Sequence, residues 1–204
     1  MTEVTHKVLI TCPKDSMNLF NSLLRQGFQV LTKVNISLRN FLQDELGIEQ
    51  EYCDSRIQTL LLNGRPVDEI GRVIIKPGDR LALSSAQPGL VGASLRCKST
   101  FAGLRDSISS EDWEIRGISE QGLITIRLFN LIAQELDTLL LGRGIFLSLS
   151  QWVQWLKSHN LPWIFDQLSI CLDGYQIKDS ESLWFYRLDE MVKAERLFLK
   201  VFEQ

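Results

Sequence analysis

A chain of 204 residues, 45% hydrophobic and 23% charged, can bury one large core or two smaller cores of about 100 residues each. Its formal net charge of −3 supplies no broad basic field, which argues against nucleic acid or an anionic membrane surface as a partner. No run nears the ~18 apolar residues of a membrane helix, and the opening MTEVTHKVLITCPKD lacks the pattern of a secretory leader, so the expected compartment is cytoplasmic.

In chain order, HKVLITC (6–12) reads as a strand and DSMNLFNSLLRQG as a helix, with Asp15 or Ser16 suited to its N-cap and Gly27 to the position just past its end. A short apolar strand, FQVLTKV, comes next. In SLRNFLQDELG, Leu38, Phe41 and Leu42 form one helical stripe. IQTLLLNGRPV (57–67) reads as a strand turning over at Asn63-Gly64, a dipeptide suited to positive φ angles. KPGD then introduces a last strand, DRLALSS (79–85).

The second half repeats this order. In GLITIRLFN (122–130), Ile124, Ile126 and Leu128 alternate with Thr125 and Arg127, as a strand with one wet face should. LIAQELDTLLLGRG follows, its Leu140, Leu141 and Gly144 standing 117 residues beyond Leu23, Leu24 and Gly27. After IFLSL, the helix SQWVQWLKSHN carries Trp152, Trp155 and Leu156, 114 residues beyond Leu38, Phe41 and Leu42. LSICLDGYQI (168–177) matches the first turn-over, with Asp173-Gly174 for Asn63-Gly64, and ERLFLKV (195–201) matches DRLALSS. Two copies of one domain are therefore expected.

Between them, PGLVGASLRCKSTFAGLRDSISSEDWEIRG is rich in Gly, Ser and Thr and lacks sustained periodicity, so it reads as a connector or docking segment. The expected division is a first domain at 1–88, the connector at 89–117 and a second domain at 118–204.

SLRNFLQDELG, LLLNGRPVDE and IIKPGDRLALSSAQPG carry a resemblance. Residues 28–89 resemble the ubiquitin-like β-grasp fold, specifically the sulfur-carrier proteins of thiamin and molybdopterin synthesis and the related TGS domains. The resemblance implies an α+β fold of two tandem β-grasp domains, each here with an additional helix between its first two strands. The runner-up is a single larger α/β domain with parallel crossovers. Carriers of this group end in a free Gly-Gly carboxylate, whereas here the first copy runs on through Gly89 and Gly92 and the second ends VFEQ. A sulfur-carrier or modifier role would require cleavage near Gly89 or Gly92.

No residue pattern supports a catalytic site. His6 and His159 lack a nucleophile and orienting group placed by the sequence, and read as surface or capping residues. Cys12, Cys53, Cys97 and Cys171 form no CxxC pair and read as reduced, structural thiols. No metal-ligand spacing and no phosphate-binding glycine loop occurs, so neither a metal nor a cofactor is expected. Asp44, Glu45, Glu49 and Glu51 read as a solvated cluster. Trp152 and Trp155 read as core.

The expected function is that of a non-catalytic interaction or scaffold protein with an unidentified protein partner, acting without nucleic acid or membrane. Its candidate interaction segment comprises Pro88, Gly89, Leu90, Val91, Gly92 and Leu95, together with the loop aromatics Trp113 and Trp163. Pro88 and the glycines turn the chain, and the apolar residues lie either against the second copy or against a partner. A small-ligand binder with a pocket between the domains is the remaining alternative.

Overall fold

A computed structural model describes residues 5–85, 120–159, 168–177 and 196–204. The first half runs β1 (Thr5–Cys12), a 3-10 helix (Lys14–Phe20), α1 (Asn21–Gln26), β2 (Phe28–Val34) and β3 (Ile36–Ser37). It continues with α2 (Leu38–Asn40), a π-helical turn (Phe41–Glu45), α3 (Gln50–Ser55), β4 (Thr59–Leu62), β5 (Arg65–Pro66), β6 (Ile74–Ile75) and β7 (Arg80–Ser84). The second half has β8 (Glu120–Phe129), α4 (Ile132–Glu135), α5 (Asp137–Arg143), β9 (Ile145–Ser148) and α6 (Leu149–Ser158). It ends with β10 (Ser169–Leu172), β11 (Tyr175–Ile177) and β12 (Arg196–Glu203).

The fold is mixed α and β, with both parallel and antiparallel strand pairs. Its two compact units interleave the halves of the chain. A terminal unit combines Met1–Phe28 with Leu136–Gln204, and a middle unit spans Gln29–Glu135.

In the middle unit the strand order is β2-β8-β7-β4-β5. β8 lies parallel to β7, pairing Leu81 with Ile126 and Leu83 with Leu128. β4 lies antiparallel to β7 on its other side. Alternation puts Val30, Thr32, Leu60, Leu62, Leu81, Leu83, Ile124, Ile126 and Leu128 on one buried face, against Leu38, Phe41 and Leu42. The KPGD turn places Gly78 at φ +84, and the Asp79 carboxylate accepts from Lys76 N (2.7 Å) and Asn63 Nδ2 (2.8 Å). One side chain thus locks two adjacent turns.

In the terminal unit the order is β9-β12-β1-β10-β11, with β1 parallel to β12 along its whole length. Val8, Ile10, Ile145, Leu147, Ile170, Leu197, Leu199 and Val201 face a helical layer that contributes Phe20, Leu140, Leu141, Trp152 and Trp155. Trp155 stacks between Phe20 and Trp152, with ring centroids 5.0 Å from each, and its Nε1 donates to the Leu19 carbonyl at 3.0 Å. Most of the ring is apolar, and its single donor is satisfied by backbone, so the indole can be buried without penalty.

Much of the repeat has a local physical basis. Gly27 (φ 110, ψ 140) and Gly144 (φ 98, ψ 139) end their helices alike, each N–H donating to the carbonyl four residues back, at Leu23 and Leu140 respectively. Asn63-Gly64 (φ 52, 80) and Asp173-Gly174 (φ 49, 89) both make two-residue turns with positive φ throughout.

Three details differ from the sequence expectation. The first helix starts at Lys14 behind Pro13 with no side-chain cap, and Ser16 is buried within it rather than capping it. The second-copy helix starts at Leu149 behind the N-cap Ser148, whose hydroxyl accepts from Gln151 N while Gln151 Oε1 accepts from Ser148 N. Ser37 caps α2 in the same way through Asn40 N, so the caps align 111 residues apart, not 114, although all six stripe residues are buried.

The third difference concerns the first and last strands of each copy. Asn63 N donates to Arg80 O and Arg80 N to Asn63 Oδ1, while Asp173 N donates to Lys7 O and Lys7 N to Asp173 Oδ1. By this bonding β1 occupies the place in the terminal unit that β7 holds in the middle unit. β12, which resembles β7 in sequence, stands where β8 does. Inward leucines at alternate positions satisfy either place, so alternation alone does not select the neighbour.

Candidate interaction face

Each sheet has helices on one face, and the outward positions of the strands define the other. In the terminal unit those positions hold Lys7, Leu9 and Thr11 on β1, and Arg196, Phe198, Lys200 and Phe202 on β12. Phe146 on β9 pairs with Phe198, and Cys171 on β10 pairs with Leu9.

Phe146 and Phe198 meet edge to face at 5.1 Å, and the Phe198 ring lies so close over Gly144 that an added Cβ would sit 2.2 Å from its Cζ. Gly144 is therefore required twice, for its φ of +98 and for the space the ring fills. Phe202 is 41% exposed, with Lys200 Nζ 5.0 Å over its ring. The described outward positions of these strands include Lys7, Arg196 and Lys200, and the Asp173 carboxylate stands beside Lys7 at the end of β10.

The middle unit's outward face is also basic, with Lys33, Arg80 and Arg127 beside exposed Leu31 and Phe129. It is less open. Thr59 and Ser84 are both nearly fully buried, Pro66 is buried, and Lys33 Nζ lies 3.4 Å from Glu45. Among the described residues the buried Thr59 hydroxyl has no hydrogen-bond partner.

Within the middle unit an open cavity of about 960 Å3 lies between α2, α3 and the 68–72 loop. Leu38 N and Arg39 N donate to the carbonyls of Val73 and Ile70, which clamps the loop to the start of the helix. The Arg39 guanidinium packs on Gly71, and Arg72 pairs with Glu69 at 2.8 Å. Cys53 lines this cavity, but burial first and Asp54 second push its thiol up to about 11, so it is protonated at neutral pH. Cys12 in the terminal unit is raised to about 11 by burial, Glu203 and Asp137, and donates to Met17 Sδ at 3.4 Å. Neither thiol is an activated nucleophile.

Both histidines have structural partners, and the acidic residues divide into exposed and bonded ones. His6 Nδ1 lies 2.6 Å from Asp173 Oδ2, beside the turn that Asp173 closes. His159 follows α6, packs on Trp155 and bonds the Trp155 carbonyl at 2.8 Å, as a capping residue would. Asp44, Glu49 and Glu51 are exposed. Glu45 is not part of a solvated cluster, because its carboxylate accepts from Thr32 Oγ1 (3.0 Å) and Lys33 N (3.2 Å) on β2. Burial would raise its pKa, but the Lys33 backbone bond, the Thr32 hydroxyl and the Lys33 charge together hold it below the ordinary value. Glu135 is lowered by its hydrogen bonds from Arg56, and it also accepts from Tyr52 at 2.7 Å, tying α3 to α4.

The expected interaction residues Pro88, Gly89, Leu90, Val91, Gly92, Leu95, Trp113 and Trp163 lie outside the described residues, as does Cys97. The outward aromatics Phe146, Phe198 and Phe202 were not singled out by the sequence. Their signal was present as the alternation in ERLFLKVFE, where each inward Leu or Val is flanked by an outward Phe or Lys. Among the described residues no group of His, Cys, Asp and Glu could hold a metal ion, and no helix is long and apolar enough to cross a membrane. No protein-family model, curated protein or solved structure matches the chain.

Proposed function

We propose that the protein is a non-catalytic interaction module of the cytoplasm, built from two β-grasp-like sheets and contacting a protein partner through the outward face of the terminal unit. The observation that carries this reading is the row Lys7, Leu9, Phe198, Lys200 and Phe202, which combines half-buried apolar surface with cations on a regular sheet. The β-grasp assignment is supported by the parallel pair at the centre of each sheet and, among the described residues, by helices on one face. It differs from a simple tandem in that each central pair draws one strand from either half of the chain.

The same exchange weighs against a carrier released by cleavage near Gly89 or Gly92. A fragment ending there would lose β8, the parallel neighbour of β7, and leave the middle sheet without a central strand.

The test is site-specific photo-crosslinking from position 202, with position 157 on the exposed side of α6 as control. Protein adducts at 202 and none at 157 are expected. Equal labelling at both positions, or turnover of a substrate that is lost on changing one polar residue, would sink the reading.

A further inference from the structure

We infer that the cavity of the middle unit binds a short apolar peptide with both termini free. The site is separate from the terminal unit's face, and the inference does not rest on the interaction reading above. The floor of the cavity is apolar, formed by the buried Leu42, Ile57 and Leu60. Its walls carry two charges of opposite sign, Arg39 on α2 and Asp54 on α3. Among the described residues neither belongs to an ion pair, with the other or with any neighbour.

Each is held instead by a neutral group. A Cβ added at Gly71 would lie 3.5 Å from Arg39 Nη2 and 3.6 Å from both Cζ and Nε, so the guanidinium lies flat on the loop. Its donors radiate in that plane, and the bond from Arg39 N to the Ile70 carbonyl (3.0 Å) ties the loop beneath it to the helix. A guanidinium edge held in this way suits a carboxylate, which it meets with two parallel hydrogen bonds. On the other wall the Asp54 carboxylate accepts from Gln50 Nε2 at 2.7 Å through Oδ2. That neutral donor leaves the charge uncompensated, and an ammonium group would match it.

Charge decides the class of ligand. Glu69 and Arg72 pair with each other at 2.8 Å and Asp68 has interactions of its own, which leaves Arg39 and Asp54 to be matched. A simple anion would answer Arg39 and be repelled by Asp54, and a simple cation would do the reverse. A zwitterion with an apolar body answers both and covers the floor. Size decides the rest. At about 960 Å3 the cavity stands at the top of the ~300–1,000 Å3 range of small-molecule sites, more than one amino acid fills, so the ligand has at least two residues.

The experiment titrates the isotope-labelled full chain with dileucine, N-acetyl-dileucine, dileucine amide and leucine, reading backbone amide shifts by NMR. Dileucine is expected to shift the amides of Arg39, Cys53, Asp54 and Gly71. Blocking either terminus should weaken binding roughly tenfold, and leucine should bind more weakly than dileucine. Arg39→Gln should weaken dileucine by a similar factor without weakening dileucine amide, and Asp54→Asn should weaken dileucine without weakening N-acetyl-dileucine. Both side chains are exposed, and well-dispersed spectra establish that the variants fold.

No binding of dileucine, equal binding of either blocked form, tighter binding of leucine, or shifts confined to the terminal unit would each overturn the inference. If a variant does not fold, the blocked peptides against the unaltered chain decide the matter.

Discussion

The two units solve the same packing problem with different polar fastenings. In the middle unit, lowered carboxylates do the tying: Glu45 joins the π-helical turn to β2, and Glu135 joins α3 to α4. In the terminal unit the carboxylate next to the core is Asp137, which is buried and raised above its ordinary value, first by burial and also by Glu203. Its large stabilising feature is instead the Phe20, Trp155 and Trp152 stack. The terminal unit keeps one carboxylate tie, from Asp173 to Lys7 N and His6 at a hairpin turn, and otherwise depends on aromatic area where the middle unit depends on carboxylates.

The most severe way to break the comparison is to separate the halves. Residues 1–119 and 120–204 expressed alone should each fail to give a cooperative thermal transition, while co-expression restores one. Either half folding alone would contradict the exchanged central strands. Next in size, Trp155→Ala should cost the terminal unit about 3–5 kcal/mol, for a large buried aromatic removed from a stack. Native-state hydrogen exchange would show faster opening of β1 and β12 with β4 and β7 less affected; equal acceleration would mean that the units open together.

Gly144→Ala should destabilise by about 2–3 kcal/mol, from positive φ and overpacking against Phe198, whereas Gly64→Ala meets no atom within 4 Å and should cost about 1 kcal/mol. Denaturant titration of the two variants compares them, and similar costs would show that the Phe198 ring moves aside freely. Combining Gly144→Ala with Phe198→Leu should recover part of the loss.

Acid sharpens the contrast with the smallest effect. Glu45 and Glu135 have folded pKa values below the ordinary 4.5, so their stabilisation is complete above that value and is lost as pH falls through the lowered ones. Asp137 is raised above 3.8, so its charged form costs stability at neutral pH, and that cost is relieved as pH falls through the raised value. Amide exchange in acid, corrected for its intrinsic pH dependence, should therefore accelerate first in the middle unit. Glu45→Gln should reduce that acid sensitivity.

What the sequence made legible was local. The Asn63-Gly64 and Asp173-Gly174 turns, the Gly27 and Gly144 helix ends and the buried stripes each depend on residues within a few positions of one another. The exchange of central strands was not legible, because Leu81, Leu83, Leu197 and Leu199 present the same inward pattern whichever strand lies beside them. Glu45 was misplaced for a related reason: its acceptor role needs Thr32 and Lys33, brought beside it only when β2 and the helix pack. The outward phenylalanines were visible as alternation, but alternation does not say that helices cover only the other face.

The parallel pairing of β1 with β12 also sets a timetable for synthesis. β8 leaves the ribosome soon after β7, so the middle sheet can close with most of the second half still unmade. Both neighbours of β1 lie far downstream, β10 at Ser169–Leu172 and β12 at Arg196–Glu203, so at ~5–20 residues per second β1 waits roughly 10–40 s for β12, and for most of that time neither of its edges is paired. The newborn chain therefore carries an unpaired strand for the whole interval between β1 and β10, and slowing elongation there should raise the fraction that aggregates.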